Sequence, residues 1–217
     1  MKKFFYLMLA LCLTMAGPAR AFDADDLNEL TITNGTGKII KYLFISPDDS
    51  NSWGPDMLGT EVIGTGKAVT YYMLYPERTG DFDILAVADD NQRYEVLDFR
   101  LTDGAKASMT LSPKNRTERQ APQLVNVTLH NKTGFKMAYV FFSPADSVMY
   151  GADILGSTFE LENKKSHSFA VIKPSADLKY DLYAVDEDGD EYKFQVTVRP
   201  GDTNVAADIE LSDLVTK

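Results

Sequence analysis

The chain has 217 residues, enough for one large domain or two small ones. Apolar residues make up 44% and charged residues 25%, an ordinary globular balance that argues against wholesale disorder. Asp and Glu outnumber Lys and Arg by 32 to 22, with no long basic tract, so neither nucleic acid nor anionic lipid is an expected partner. One Cys and two His exclude zinc fingers, iron–sulfur clusters and disulfide scaffolds by count.

Residues 1–21 read as a cleaved signal peptide. Lys2 and Lys3 precede the apolar run FFYLMLALCLTMA, and Ala19-Arg20-Ala21 is a small-x-small cleavage site before Phe22. The run is short for a transmembrane helix and has no stop-transfer flank. Cys12 follows Leu11, where a lipoprotein signal would carry a small residue. Cleavage after Ala21 removes three of the 22 basic residues and no acid, leaving a net charge of −13 and no cysteine. The expected location is periplasmic or secreted, with no membrane insertion after cleavage. An exported chain without cysteine must be stable through its cores alone.

The most informative feature is an internal repeat. NGTGKIIKYLFISPDDSNSWGPDMLG (34–59) aligns without a gap onto NKTGFKMAYVFFSPADSVMYGADILG (131–156), with 13 of 26 positions identical. DFDILAVADDNQRY (81–94) then aligns onto KYDLYAVDEDGDEY (179–192). A period near 97 residues is the size of a small domain, too long for solenoid or propeller units. The sequence therefore divides into a first repeat over 22–111, a polar linker over 112–123 with two prolines, and a second repeat over 124–217. Each repeat is expected to fold independently.

Taken in chain order, each repeat reads as short strands. ELTIT and VNVTLH lead into Asn34-Gly35-Thr36-Gly37 and Asn131-Lys132-Thr133-Gly134, which read as Asx-turn hairpin loops. KIIKYLFIS and KMAYVFF follow, apolar on both faces as central strands are. Further strands are AVTYYML and SFAVI, FDILAVA and YDLYAV, YEVLDF and YKFQVTV, and ASMTL and VAADIEL. Six or seven strands in about 90 residues predict an all-β protein: two tandem antiparallel β-sandwich (Ig-like) domains.

The repeated segment S-P-x-D-S-x-x-[W/Y]-G-x-D-[M/I]-L-G (46–59 and 143–156) admits two readings. In the structural one, Ser46 or Ser143 caps a helical turn that Gly54 or Gly151 ends with positive φ. Trp53 and Tyr150 then anchor the crossover, and Leu58 and Leu155 enter the core. In the functional one, Trp53 with Asp56, and Tyr150 with Asp153, form a ligand-binding surface of the kind that takes a sugar ring. The segment, with the later D-[I/L]-x-A-V strand, resembles a β-sandwich module of secreted bacterial proteins, found singly or in tandem. That resemblance implies the fold and export, and assigns no catalytic residue.

A second constellation is Asp186-Glu187-Asp188-Gly189-Asp190-Glu191. Asp188-Gly189 predicts a two-residue hairpin turn, setting Glu187 opposite Asp190 and Asp186 opposite Glu191. Like charges so placed repel, and either water at an exposed tip or a Ca2+ ion held by Asp186, Asp188, Asp190 and Glu191 would relieve them. Beyond that ion no cofactor is expected. His130 and His167 both read as solvated, and G-x-S-x-G, P-loop, H-E-x-x-H and G-x-G-x-x-G motifs are absent from the sequence. The expected function is a non-catalytic envelope module that binds a protein or glycan ligand or serves a structural role. The alternative is a secreted hydrolase acting on glycans, since carboxylate pairs of that kind are not legible in sequence.

Overall fold

The computed structural model describes residues 22–75, 79–102, 104, 106–157 and 159–215. The signal peptide expected over 1–21 lies outside the described residues. Among the described residues the only helical elements are three-residue 3-10 turns, and no helix is long and apolar enough to cross a membrane.

The first repeat contributes β1 (Asn28–Asn34), β2 (Ile40–Pro47), β3 (Ala68–Leu74), β4 (Thr79–Ala88), β5 (Arg93–Thr102) and β6 (Lys106–Leu111). The linker adds β7 (Arg116–Thr117). The second repeat contributes β8 (Leu124–Asn131), β9 (Met137–Pro144), β10 (Gly151–Ala152), β11 (Ser166–Ile172), β12 (Leu178–Asp186), β13 (Glu191–Val198) and β14 (Asn204–Ile209). Each repeat is a β-sandwich. In the first, β3-β1-β6 faces β2-β4-β5-β7; in the second, β11-β8-β14 faces β9-β12-β13. Most pairs are antiparallel as expected, but β1 pairs β6 and β8 pairs β14 in parallel. The first and last strands of each repeat run the same way and meet side by side.

Strand patterning follows burial. β1 alternates buried and half-buried along its whole length, with Leu30 and Ile32 in the core and Thr31 on the outer face. There Thr31 Oγ1 meets Thr70 Oγ1 across the strand pair at 2.8 Å. β4 and β12, by contrast, end in five consecutive buried residues. Their second face is covered by the crossovers and by the segments before β1 and β8. Phe44, Leu85 and Val87 pack with Trp53, Ala121 and Leu124, while Phe141, Tyr183 and Val185 pack with Tyr150, Phe22 and Leu27.

The N-x-T-G loops form Asx-turns, but they are corners between sheets rather than hairpins. β1 and β2 lie in different sheets, as do β8 and β9. Asn34 Oδ1 accepts from the Thr36 amide at 3.1 Å and its hydroxyl at 2.7 Å; Asn34 Nδ2 donates to the carbonyls of Lys38 and Ile63, each at 2.7 Å. Asn131 repeats the arrangement with Thr133, Phe135 and Leu161. One amide side chain thus ties three backbone segments in a fully buried site.

The two repeats are not separate bodies joined by a tether. β10 of the second repeat pairs antiparallel with β3 of the first, Gly151 opposite Leu74 and Ala152 opposite Met73. The pairing continues as the Asp153 amide donates to the Tyr72 carbonyl at 2.8 Å, and the Asp56 amide donates reciprocally to the Ala170 carbonyl at 2.7 Å. One buried cluster runs from Leu30 and Ile32 of the first repeat to Val196 and Ile209 of the second. The boundaries at 111 and 124 therefore describe the covalent repeat, while backbone pairing and core cross them. The linker is docked too: β7 pairs with β5, Thr117 opposite Arg93, and Ala121 packs beside Trp53. Its polar composition concealed those contacts.

Candidate binding surface

Both copies of the repeated segment leave their sandwich and reach the other one. Ser46, expected to cap a helical turn, lies within β2 one residue from its end, and its Oγ accepts from the Gly54 amide at 2.6 Å. No helix follows. Gly151 has φ 77°, whereas Gly54 is required for a different reason: a Cβ there would stand 2.5 Å from the Ile45 carbonyl oxygen. Reciprocal polar contacts hold the tips together. Ser50 Oγ donates to Asp146 Oδ1 at 2.7 Å, and Ser147 Oγ donates to Asp49 Oδ1 at 2.6 Å.

Trp53 and Tyr150 occupy equivalent half-buried places on the outer faces of the two sheets. The Arg93 guanidinium carbon lies 5.9 Å from the Trp53 ring centre, and the Lys193 ammonium lies 5.7 Å from that of Tyr150 and 4.5 Å from that of Tyr183. Tyr150 packs against Tyr183 with centroids 4.7 Å apart and the rings tilted by 34°, and the Trp53 carbonyl accepts from the Tyr180 hydroxyl of the other repeat. These are packing contacts.

Asp56 and Asp153 do not share that surface with the aromatics. They are 1% and 0% exposed. Asp56 Oδ1 accepts from the amides of Leu43 (2.9 Å) and Leu58 (3.2 Å), and Asp153 Oδ1 from those of Val140 (2.9 Å) and Leu155 (3.1 Å). Each therefore pins the crossover to β2 or β9 of its own repeat, strands read from sequence as central but lying at a sheet edge, where the crossover covers their outer face. Oδ2 of both makes no hydrogen bond. Burial outweighs the backbone donors and pushes Asp56 up to about 7 and Asp153 up to about 8. The repeat gave notice of both acids; only the fold shows them buried.

Between the repeats the crossovers and strands β3 and β11 enclose an open cleft of about 850 Å³. Leu58 and Tyr71 line it from the first repeat, and Leu155, Phe159, His167 and Ser168 from the second. His167, expected to be solvated, is half-buried between Phe159 and Phe169, with centroids 5.8 and 6.0 Å away. Burial holds its imidazole below the ordinary histidine value. Phe159 remains 47% exposed at the cleft, an apolar side chain open to a ligand. No local sequence signal marks this cleft, because each wall belongs to a different repeat. His130 meets Ser166 at 2.6 Å in an exposed cross-strand pair.

The acidic hairpin also departs from expectation. Gly189 (φ 84°) donates to the Asp186 carbonyl and the Asp186 amide donates to the Asp190 carbonyl, so the loop has three residues, Glu187-Asp188-Gly189. The first repeat makes the same loop with Asn91 at φ 65°. Asp186 is buried, and its carboxylate accepts from the amides of Asp188 and Asp190 and from the Tyr192 hydroxyl. Glu191 pairs instead with Val185, accepts from the Phe22 amide, and faces Lys193. Asp188 and Asp190 are exposed at the tip. A Ca2+ ion held by Asp186, Asp188, Asp190 and Glu191 would have to displace those protein donors. The acidic group that converges among the described residues is another one: Asp48, Asp83 and Asp98, with ligand oxygens within 4.8 Å of one another.

No protein-family model and no curated protein matches the chain. Among solved structures, a candidate adhesin from Bacteroides ovatus is 10% identical over 94% of this chain and all of its own, with a TM-score of 0.28. Fibronectin(III)-like modules of CbhA from Clostridium thermocellum are 12% identical over 80% of this chain and 89% of theirs, with a TM-score of 0.21. The strand pairing described above, rather than these distant likenesses, establishes the architecture as paired β-sandwiches.

Proposed function

We propose that the chain is an exported, non-catalytic binding module of the bacterial envelope, whose protein or glycan ligand occupies the cleft between the repeats. The observation that carries this reading is the cleft itself: a concave site of about 850 Å³, walled by both repeats, with Phe159 and His167 presented beside polar groups. Its lining mixes apolar side chains with the hydroxyls of Thr60, Thr70, Ser166 and Ser168, and concave sites that combine the two are where ligands usually bind. Trp53 and Tyr150, which the sequence offered either as anchors or as ligand-binding residues, do not line this cleft and pack on the outer sheet faces instead.

The test is retention of the purified chain on arrays of envelope glycans and of extended peptides. Saturable retention without turnover is expected, weakened at least fivefold by Phe159→Ser with an unchanged melting temperature. Cleavage of a glycan would overturn the reading in favour of a hydrolase. Retention that ignores Phe159→Ser would place the ligand elsewhere.

A further inference from the structure

The first described residue sits in an unexpected place. The Phe22 nitrogen donates to Glu191 Oε1 at 3.1 Å, across 169 positions of sequence. Its ring packs between Tyr139 (5.1 Å) and Tyr183 (6.3 Å) in the aromatic cluster of the second repeat. Phe22 is also the residue that follows the Ala19-Arg20-Ala21 cleavage site. We infer that removal of residues 1–21 creates an anchor: the new α-ammonium of Phe22, held in an ion pair by the carboxylate of Glu191. This rests on the expected processing after Ala21.

The chemistry is that of peptide hydrolysis by an endopeptidase of the signal-peptidase class. Water adds across the Ala21–Phe22 bond; its oxygen stays on the Ala21 carbonyl carbon as a carboxylate, and the Phe22 nitrogen leaves protonated. Before cleavage this nitrogen is a neutral amide with one N–H. Afterwards it carries a full charge and three donors at the same point, which adds an ion–ion attraction to a bond in which only the acceptor was charged.

Glu191 is suited to that role. It is 8% exposed, and the cation already beside it, Lys193 at 3.4 Å, is shared with the faces of Tyr150 and Tyr183. Lys193 stands on Oε2 while the Phe22 nitrogen stands on Oε1, so the two cations would not compete for one oxygen. The two repeats supply a control within one molecule. Glu191 pairs with Val185 just after the hairpin, and the matching position, opposite Val87, is Arg93. The charge order is inverted, Arg93–Glu95 in the first repeat against Glu191–Lys193 in the second. An anion stands in the repeat that receives Phe22. A cation stands in the repeat whose matching strap is the continuous linker.

Intact mass and N-terminal sequencing of the exported protein test the processing, and a start at Phe22 is expected; a start elsewhere overturns the inference. The anchor is tested separately with full mature chains beginning at Phe22, with the α-amine either free or acetylated. Acetylation keeps the N–H and removes the charge. The free-amine chain should melt higher by roughly 2–6 °C at pH 6, the shift expected of a modest ion pair in a chain of this length. Glu191→Gln, which keeps shape and one acceptor, should bring both chains to the same melting temperature. Equal melting of the two wild-type chains, or a difference that survives Glu191→Gln, overturns the anchor even where processing is as expected.

Discussion

The two repeats keep and change different things, and the division is informative. Both retain the buried Asn of the sheet corner and the buried Asp of the crossover, with the same partners at nearly the same distances. These are the residues that join backbone segments, including the segment that reaches the other repeat. The copies differ where their surroundings differ: Trp53 beneath Arg93 against Tyr150 beneath Lys193, and Arg93–Glu95 against Glu191–Lys193. Duplication conserved the joints and released the faces.

The most forceful way to break the comparison is to separate the copies. Residues 123–217 alone lose the strand that β10 pairs with and half of the shared core. That fragment should lack a cooperative thermal transition, and mixing it with residues 22–122 should restore one. Circular dichroism melts decide the matter; a fragment melting within a few degrees of the full chain would show that each repeat is self-sufficient.

The equivalent acids offer a finer test. Asp153→Ala strands two buried amides, and should cost about 2–5 kcal/mol by urea unfolding at pH 7. Asp153→Asn, matching the neutral carboxyl in shape, should cost far less at that pH. Unfolded, both acids titrate near 3.8; folded, near 7 and 8. Between these limits the folded chain holds more protons, so stability falls as the pH rises. The contribution is complete below about pH 4 and gone above about pH 8. Urea midpoints from pH 5 to 8.5 should therefore decline, and the double variant Asp56→Asn, Asp153→Asn should flatten the decline. An unchanged slope would mean that these acids do not retain their protons.

The smallest expected difference lies between the aromatic anchors. Trp53→Ala removes the larger ring from beside Phe44, Leu85 and Val87, and should cost about 3 kcal/mol, with Tyr150→Ala costing somewhat less. Trp53 is the only tryptophan, so its fluorescence follows the first crossover directly. It should resist acrylamide more than an exposed indole. Free quenching together with a silent Trp53→Ala would return Trp53 to the role of a recognition residue.

Much of the local structure was legible in the chain. Alternation placed the strands, the N-x-T-G motif marked its Asx-turns, and Leu58 and Leu155 enter the core as expected. Turn geometry was less legible. Asp188-Gly189 suggested a two-residue loop, yet Asp186 captures the amides of Asp188 and Asp190 and stabilises a three-residue one. The cleft could not be read at all, because Tyr71 and His167 are nearly one hundred residues apart and belong to strands that never pair with each other.

By itself, then, the sequence determined a duplicated all-β chain, since hydrophobic period, turn residues and internal identity are local properties. Tertiary structure alone decided that the copies would interlock, that Asp56 and Asp153 would be buried and raised in pKa, and that Phe22 would meet Glu191. The physical reason is that two copies of one strand plan offer equivalent partners. Periodicity says that a strand edge must be paired; only the competition between packed arrangements says which copy supplies the pair.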